Sequence, residues 1–368
     1  MTSSSPYHML SYILENGAAL ERTLRGSEGE LEGVAAQARA RGLSRIVLSG
    51  VGSSYTAACA AKLAFDELVP EPTYVIPSTE LRYHRALLDE RTLVVVLSRS
   101  GERRRVLDGL GVAEESGAFT IAVTGAADSL MAQMAARSVV TAEGPEISFT
   151  KTKSVTAGIG VFLSLALALG SRANGDIVGL RNSLYALPAL IDGALESAAP
   201  EVEALVEEFN FDRFIIAGTG PNAGTAMEMA LTLQESALIT TLWADTGNLL
   251  HGPLCPLDEN WLVGLMVTAD DLELSSDTFR VVQALGARTL AVLPPDVMPD
   301  PAPDHVLPVP SPRERIFWPL LYLPILQLLT YHWTVSRGLN PDAPAGSEVM
   351  LDAMLPPGRA EPEAHLAD

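Results

Sequence analysis

RIVLSGVGSSYTAACAAKLAFDEL, residues 45–68, decides how the chain is read. Residues 45–48 form a short apolar run, Ser49-Gly50-Val51-Gly52-Ser53-Ser54 carries two glycines, and the remainder is rich in alanine. An apolar run of that length suits a buried strand, glycines allow a tight turn, and alanine is the best helix former. The stretch therefore predicts strand, turn and helix in that order. Further strand candidates fall at 73–76, 93–97, 120–123 and 138–140, separated by helical stretches such as 103–115 and 128–135. Strands alternating with helices at this spacing predict a mainly parallel sheet flanked by helices.

The same order recurs at 212–235 in DRFIIAGTGPNAGTAMEMALTLQE. Arg45 and Arg213, Gly50 and Gly218, Gly52 and Gly220, and Ala58 and Ala226 are each 168 residues apart, which implies duplication of one α/β domain. Later strands are expected at 261–267, 289–292 and 305–309, before a long apolar helical region at 317–335. A connecting helix is expected within 170–200 and a boundary near 198–202. The expected organisation is a first domain at 30–197, a second at 198–345 and an acidic tail at 346–368, frayed over at least its last dozen residues.

The 368 residues, 48% of them hydrophobic, supply two substantial cores. A formal charge of -20 opposes a broad nucleic-acid or anionic-membrane surface, yet leaves room for a small anion in a local pocket. No helix-turn-helix segment is evident. Cys59 and Cys255 show neither zinc spacing nor a CxxC pair, so two buried thiols in a reducing cytosol are expected. The first residues lack a basic segment followed by an apolar core, and no secretory signal is expected. The apolar stretches at 155–170 and 316–334 are too short or too interrupted by proline and polar residues to span a membrane, and are read as buried helices. A cytoplasmic protein follows from these expectations.

Four segments carry candidate chemistry. The first, Gly50 to Ser54, offers a turn near a helix N-terminus with the hydroxyls of Ser53 and Ser54, suited either to an anion or to a plain strand-to-helix turn. It is not a GxGxxG dinucleotide pattern, because Tyr55 stands at the final glycine position. In the second, Leu97-Ser98-Arg99-Ser100-Gly101-Glu102-Arg103, serines and exposed amides suit a phosphate that Arg99 or Arg103 neutralises, and equally a polar turn with a helix cap. The third, 141–154, is a hydroxyl-rich loop leading into an apolar helix, whose amides and lysines suit one side of a polar ligand pocket and equally a plain helix cap. The fourth pairs Glu235, at the end of an apolar helical pattern, with His251 in His251-Gly252-Pro253-Leu254. A glutamate whose pKa is raised toward neutrality suits proton removal from carbon, and a histidine suits proton transfer during sugar-ring opening; solvated or structural roles are the ordinary alternative.

Taken together, the four segments resemble the sugar isomerase, or SIS, family with tandem SIS domains, over roughly residues 30–345. The likeness is nearest to the isomerase half of glutamine-fructose-6-phosphate aminotransferases and to related phosphosugar deaminases and deglycases. GVGSSYTAA resembles the family's GTSY segment, LSRSGE its SQSGE segment, and EGPEISFTKTKS its GPE-to-STK segment. The resemblance implies that Ser54, Ser98 and Ser100 bind substrate oxygens, chiefly phosphate, and that Thr152 helps to position the sugar. Arg99 replaces the usual glutamine, Arg103 the threonine after SGE, and Lys151 the serine before Thr152. Glu80 and Arg82 in PSTELRY match a segment expected to hold architecture. Glu235 matches the proton-transfer glutamate. His251 matches the ring-opening histidine, which in relatives reaches the site from a neighbouring subunit and so implies a symmetric homodimer.

Arg337-Gly338-Leu339-Asn340-Pro341-Asp342-Ala343-Pro344 keeps the lead-in to the family's Schiff-base lysine, but Val349 stands at the lysine position and cannot form an imine. No glutaminase domain is expected ahead of residue 30, nor its N-terminal cysteine. The resemblance thus implies a deglycase or deaminase acting on a phosphorylated amino sugar or ketosamine, with no metal or nicotinamide cofactor. An aldose-ketose isomerase and a noncatalytic phosphosugar sensor are the alternatives.

Overall fold

The structure, a computed structural model, describes residues 6–170, 176–208, 211–310 and 312–356. The last dozen residues, expected to be frayed, lie outside the described residues.

Along the chain come α1 (His8–Leu14), α2 (Asn16–Ala40), β1 (Arg45–Ser49), α3 (Ser53–Leu68), β2 (Thr73–Val75), β3 (Thr92–Leu97), α4 (Arg104–Glu115), β4 (Phe119–Thr124), α5 (Leu130–Met134), β5 (Arg137–Val140), α6 (Lys153–Leu169) and α7 (Ile177–Glu208). They are followed by β6 (Arg213–Gly218), α8 (Asn222–Thr232), β7 (Thr240–Ala244), α9 (Thr246–Leu249), β8 (Trp261–Met266), α10 (Leu272–Ala284), β9 (Arg288–Leu293), β10 (His305–Pro308), α11 (Trp318–Ser336) and α12 (Ser347–Met354). Two compact units result. One holds Glu15–Ile147, Lys153–Pro188 and α12; the other holds α1, Ser148–Thr152 and Ala189–Pro344. The long α7 carries the chain from the first to the second.

Each unit is built on one five-stranded parallel sheet, ordered β2-β1-β3-β4-β5 in the first and β7-β6-β8-β9-β10 in the second. Counted from the first strand of each, both read 2-1-3-4-5. Strand starts pair off 167 to 169 residues apart: Arg45 with Arg213, Thr73 with Thr240, Thr92 with Trp261, Phe119 with Arg288, and Arg137 with His305. The glycine chemistry is duplicated too. Gly52 and Gly220 hold φ of +58° and +54°. A Cβ on Gly50 would stand 2.7 Å from Ser54, and one on Gly218 2.9 Å from Asn222, four residues on in each case. Only glycine lets the chain turn that sharply from strand into helix.

Every residue of β3, β4 and β8 is buried, which is why these strands read as continuous apolar runs. β7, TTLWA, was not anticipated, because a short sheet-edge strand with threonines and an exposed face lacks that signal. The 168-residue offset, applied to β2, would have placed it. Helix α6 is buried at every residue but Ser164, and α11 accommodates Pro324 in its apolar interior. Among the described residues no helix is long and apolar enough to cross a membrane. One expectation needs correction: Cys255 is exposed and Cys59 only partly buried, since Cys255 falls in a surface turn rather than on a packed helix face.

Gly101 closes the loop after β3 with φ +64°, and a Cβ there would meet Ser129 Oγ at 2.3 Å. Gly101→Ala is expected to lower stability by about 2 kcal/mol through backbone strain and overpacking. Urea denaturation would show the midpoint falling; an unchanged midpoint would refute the steric argument.

Candidate active site

In an open parallel sheet ordered 2-1-3-4-5, ligands bind beyond the carboxyl ends of the strands where the winding reverses. In the first unit that point lies between β1 and β3. Gly50 to Ser54 follows β1 and Ser98 to Arg103 follows β3, so the topology brings both serine segments to one edge of one sheet. Ser53 and Ser54 open α3, whose N-cap Gly52 has no side chain with which to cap the positive end of the helix. Ser98 is buried, and its Oγ accepts from the Gly101 amide at 3.3 Å. Ser100 is partly exposed, and its Oγ accepts from the Glu102 amide at 3.3 Å. Glu102 is buried and accepts from the Leu130 amide at 2.9 Å, so the motif's glutamate ties the loop to α5. Arg99 turns its Nε to 3.9 Å from Oε1 of buried Glu143, and half-buried Arg103 is the N-cap residue of α4.

The second unit holds Glu235. Its backbone lies in a π-turn, Leu233–Ala237, that widens the end of α8. Such i to i+5 turns recur at functional sites because they aim a side chain out of helical register. Gln234 donates to the Thr241 carbonyl at 2.6 Å, and Thr334 of α11 donates to Ser236 at 3.2 Å, so both neighbours of Glu235 are anchored. Glu235 keeps some exposed surface, but its Oε2 is fully buried and has no hydrogen-bond partner. Burial pushes its pKa up to about 8, the negative charge of Glu228 adds to the rise, and Lys151 and the Thr150 hydroxyl partly oppose it. Glu228 is itself 1% exposed.

Thr150, Lys151 and Thr152 belong to this same unit. Their loop is held by the Phe149 amide donating to the Asp342 carbonyl at 2.8 Å and by Gln327 donating to the Thr152 carbonyl at 3.2 Å. Lys151 Nζ donates to the Ser148 carbonyl. Thr152 is fully buried, and it is Thr150 whose hydroxyl acts on Glu235, without the geometry of a full hydrogen bond. His251 is exposed in the turn after α9, its side chain unlinked to Glu235 by any hydrogen bond or ion pair.

The structure thus gathers Ser53, Ser54, Ser98, Arg99, Ser100 and Arg103 in one unit, and Glu235, His251 and Thr152 in the other. Sequence reasoning missed Glu228, and within the candidate loop 141–154 it gave Thr150 and Glu143 no role of their own. For Glu228 a signal was present: it stands seven residues before Glu235, two helical turns along one face. A recess of about 300 Å³ lined by Ser78, Thr79, Arg82, Arg105, Asp108, Gly109 and Val112 contains none of the candidates. Val349 is exposed on α12. Among the described residues, no three His, Cys, Asp or Glu side chains converge as a metal site would require.

Residues 41–168 match the SIS domain family. Glutamine--fructose-6-phosphate aminotransferase (isomerizing) of Gloeobacter violaceus is 34% identical over 316 residues, covering 82% of this chain and 51% of that protein. The chain spans about half the length of the curated relatives it matches. The solved C-terminal domain of glucosamine-fructose-6-phosphate aminotransferase from Francisella tularensis superposes with a TM-score of 0.84 at 24% identity, covering 94% of this chain and 100% of that one. Glucosamine-6-phosphate deaminase from Thermotoga maritima superposes with a TM-score of 0.72 at 22% identity, covering 92% and 97%. These two likenesses speak to fold.

Proposed function

We propose that this chain, whose residues 41–168 match the SIS domain family, is a phosphosugar deglycase or deaminase, releasing an amine from a phosphorylated ketosamine or amino sugar. The observation that carries this reading is Glu235, a buried carboxyl with a pKa near 8 and an unpartnered Oε2. A carboxylate in that setting is a strong enough base to take a proton from carbon next to a carbonyl.

In this reading the phosphate rests on Ser54, Ser98 and Ser100 beside the positive end of α3, with Ser53 and Arg103 at the rim. His251 protonates the ring oxygen of a closed sugar. The carboxylate of Glu235 removes the proton from the amine-bearing carbon of the open ketosamine, giving an enolamine. Return of that proton to the neighbouring carbon yields an imine, and one water hydrolyses it to the aldose phosphate and free amine. The sequence of steps consumes water and is redox-neutral. Thr152 supports the loop that presents Thr150 and Lys151. Proton transfer without carbon-nitrogen cleavage would make the protein an aldose-ketose isomerase, the runner-up, because the same carboxylate serves both.

The exposed His251 suits a donor to the site of a second copy in a homodimer. Leu238, Leu242, Trp243 and Leu250 lie exposed in the same stretch, which supports a covering partner there.

Incubation with phosphorylated ketosamines and amino sugars in deuterated water, followed by NMR, tests the reading. Amine release with solvent exchange at carbon is expected. Isomerisation without free amine would favour the runner-up, and binding with neither would leave a sensor. Ser98→Ala and Ser100→Ala are each expected to raise KM about 10-fold with kcat within about 3-fold, since each removes a hydrogen bond to a charged group. An unchanged KM in both would remove the serines from phosphate binding.

A further inference from the structure

Arg99 stands beside the buried carboxyl of Glu143. The Arg99 carbonyl accepts from the Gly125 amide at 2.9 Å and from Thr124 Oγ1 at 3.1 Å, which fixes its backbone at the end of β3. Its Nε lies 3.9 Å from Glu143 Oε1, too long for a hydrogen bond but close enough for charge pairing. Gly125 makes the space for that carboxylate: a Cβ there would stand 2.4 Å from Oε1. The Glu143 carbonyl is held by Arg22 of α2 at 3.0 Å. The Glu143 side chain is 2% exposed, and its Oε2 is buried with no hydrogen-bond partner.

Glu146 repels Glu143 from the same loop, and near its neighbour Gly144 lies Lys153 at the start of α6, which pairs with Glu15 at 2.6 Å. Arg99 is the cation within ion-pair distance of the buried carboxylate itself, and it follows directly after Ser98 in the candidate phosphate loop. Burial raises the Glu143 pKa, the Thr141 hydroxyl and the Arg99 charge are among the influences that lower it, and Glu146 raises it further.

We propose that an anion entering the Ser98–Ser100 loop competes with Glu143 for Arg99, and that Glu143 takes up one proton from solvent as the anion binds. A buried carboxylate deprived of its guanidinium, and now facing a second anion, is destabilised in its charged form and protonates instead. The bond formed is the carboxyl O–H; the proton offsets part of the ligand's negative charge. Anion affinity consequently falls as pH rises through the titration of Glu143, because the proton must be supplied from an ever scarcer pool. Arg99, where the resembling motif has glutamine, becomes the residue that couples substrate charge to protonation. This inference rests on the phosphosugar reading of the cradle.

The test is calorimetric titration of the full chain with sulfate, whose charge is constant from pH 5 to pH 8, in buffers of differing ionisation heat. The wild type is expected to take up a proton fraction on binding, with affinity falling up to about 10-fold per pH unit within the linkage window. Glu143→Gln should bind sulfate with no proton uptake and a flat pH profile, about 5-fold tighter at neutral pH because the competing charge is gone. Arg99→Gln should also lose the uptake, with affinity about 10-fold weaker. Circular dichroism confirms folding of each variant. Uptake in Glu143→Gln equal to the wild type, or wild-type binding without uptake, overturns the inference and leaves the cradle standing. Absence of any sulfate binding sensitive to Ser98→Ala removes the cradle and the inference together.

Discussion

Glu235→Gln is expected to slow solvent exchange at the substrate carbon by about 10³-fold, the scale of a lost general base, while phosphate-dependent binding stays within about 3-fold because the serines are untouched. The pH dependence follows from the group's electrostatics. In the proposed mechanism the carboxylate is the active form, and its pKa is raised to about 8, so kcat is expected to rise with pH below that point and level above it. Glu228 is one of the causes of the rise, so Glu228→Gln moves the limb to lower pH; Lys151 opposes it, so Lys151→Met moves the limb to higher pH. A stability measurement separates this role from misfolding. Glu235 is harder to ionise in the folded chain than in the unfolded one, so folding stability falls as pH rises from the ordinary carboxylate range through about 8. The glutamine variant escapes that loss. It should therefore melt higher than the wild type at alkaline pH while being nearly inactive. A variant that melts lower and retains exchange would remove Glu235 from the mechanism.

Much of this architecture was legible because its cause is local. The run at 45–48, the glycines at 50 and 52 and the alanines that follow each act within a few residues, and their recurrence 168 residues later announced the second sheet. β7 escaped because an edge strand with threonines and an exposed face lacks the apolar continuity that marks β3 or β8. The π-turn at Leu233–Ala237 was invisible for a different reason. One extra residue in a helical turn changes no composition or period that a reader can count, yet it sets where Glu235 points.

The candidate site divides along the same line. Ser54, Ser98 and Ser100 were legible from motif and topology, since loops that end β1 and β3 must meet at the winding reversal. The action of the 141–154 loop on Glu235 was not, because Thr150 and Lys151 influence it from more than 80 residues away in sequence. Glu143 was likewise hidden: nothing in TAEGPE indicates that Gly125 leaves a carboxylate-sized space beneath Arg99.

The second large effect concerns His251. If this exposed side chain serves the site of a partner copy, His251→Ala should lower turnover of a substrate supplied as a closed ring by about 10²-fold, and affect an acyclic substrate far less. Each variant chain alone, Glu235→Gln or His251→Ala, is then defective at both sites of its own homodimer. Unfolding the two together and refolding them as a mixture creates hybrids. In a hybrid, one site collects both defects, and the other receives Glu235 from one copy and His251 from the other, both intact. With random pairing half the dimers are hybrids and each carries one competent site of two, so about a quarter of wild-type activity should return. Recovery of this size requires two chains to build one site, since in a chain that supplies its own histidine no mixing of defective copies restores a complete set. A mixture no more active than its components, with hybrids verified by mass, would place His251 in the same chain's site or outside the chemistry.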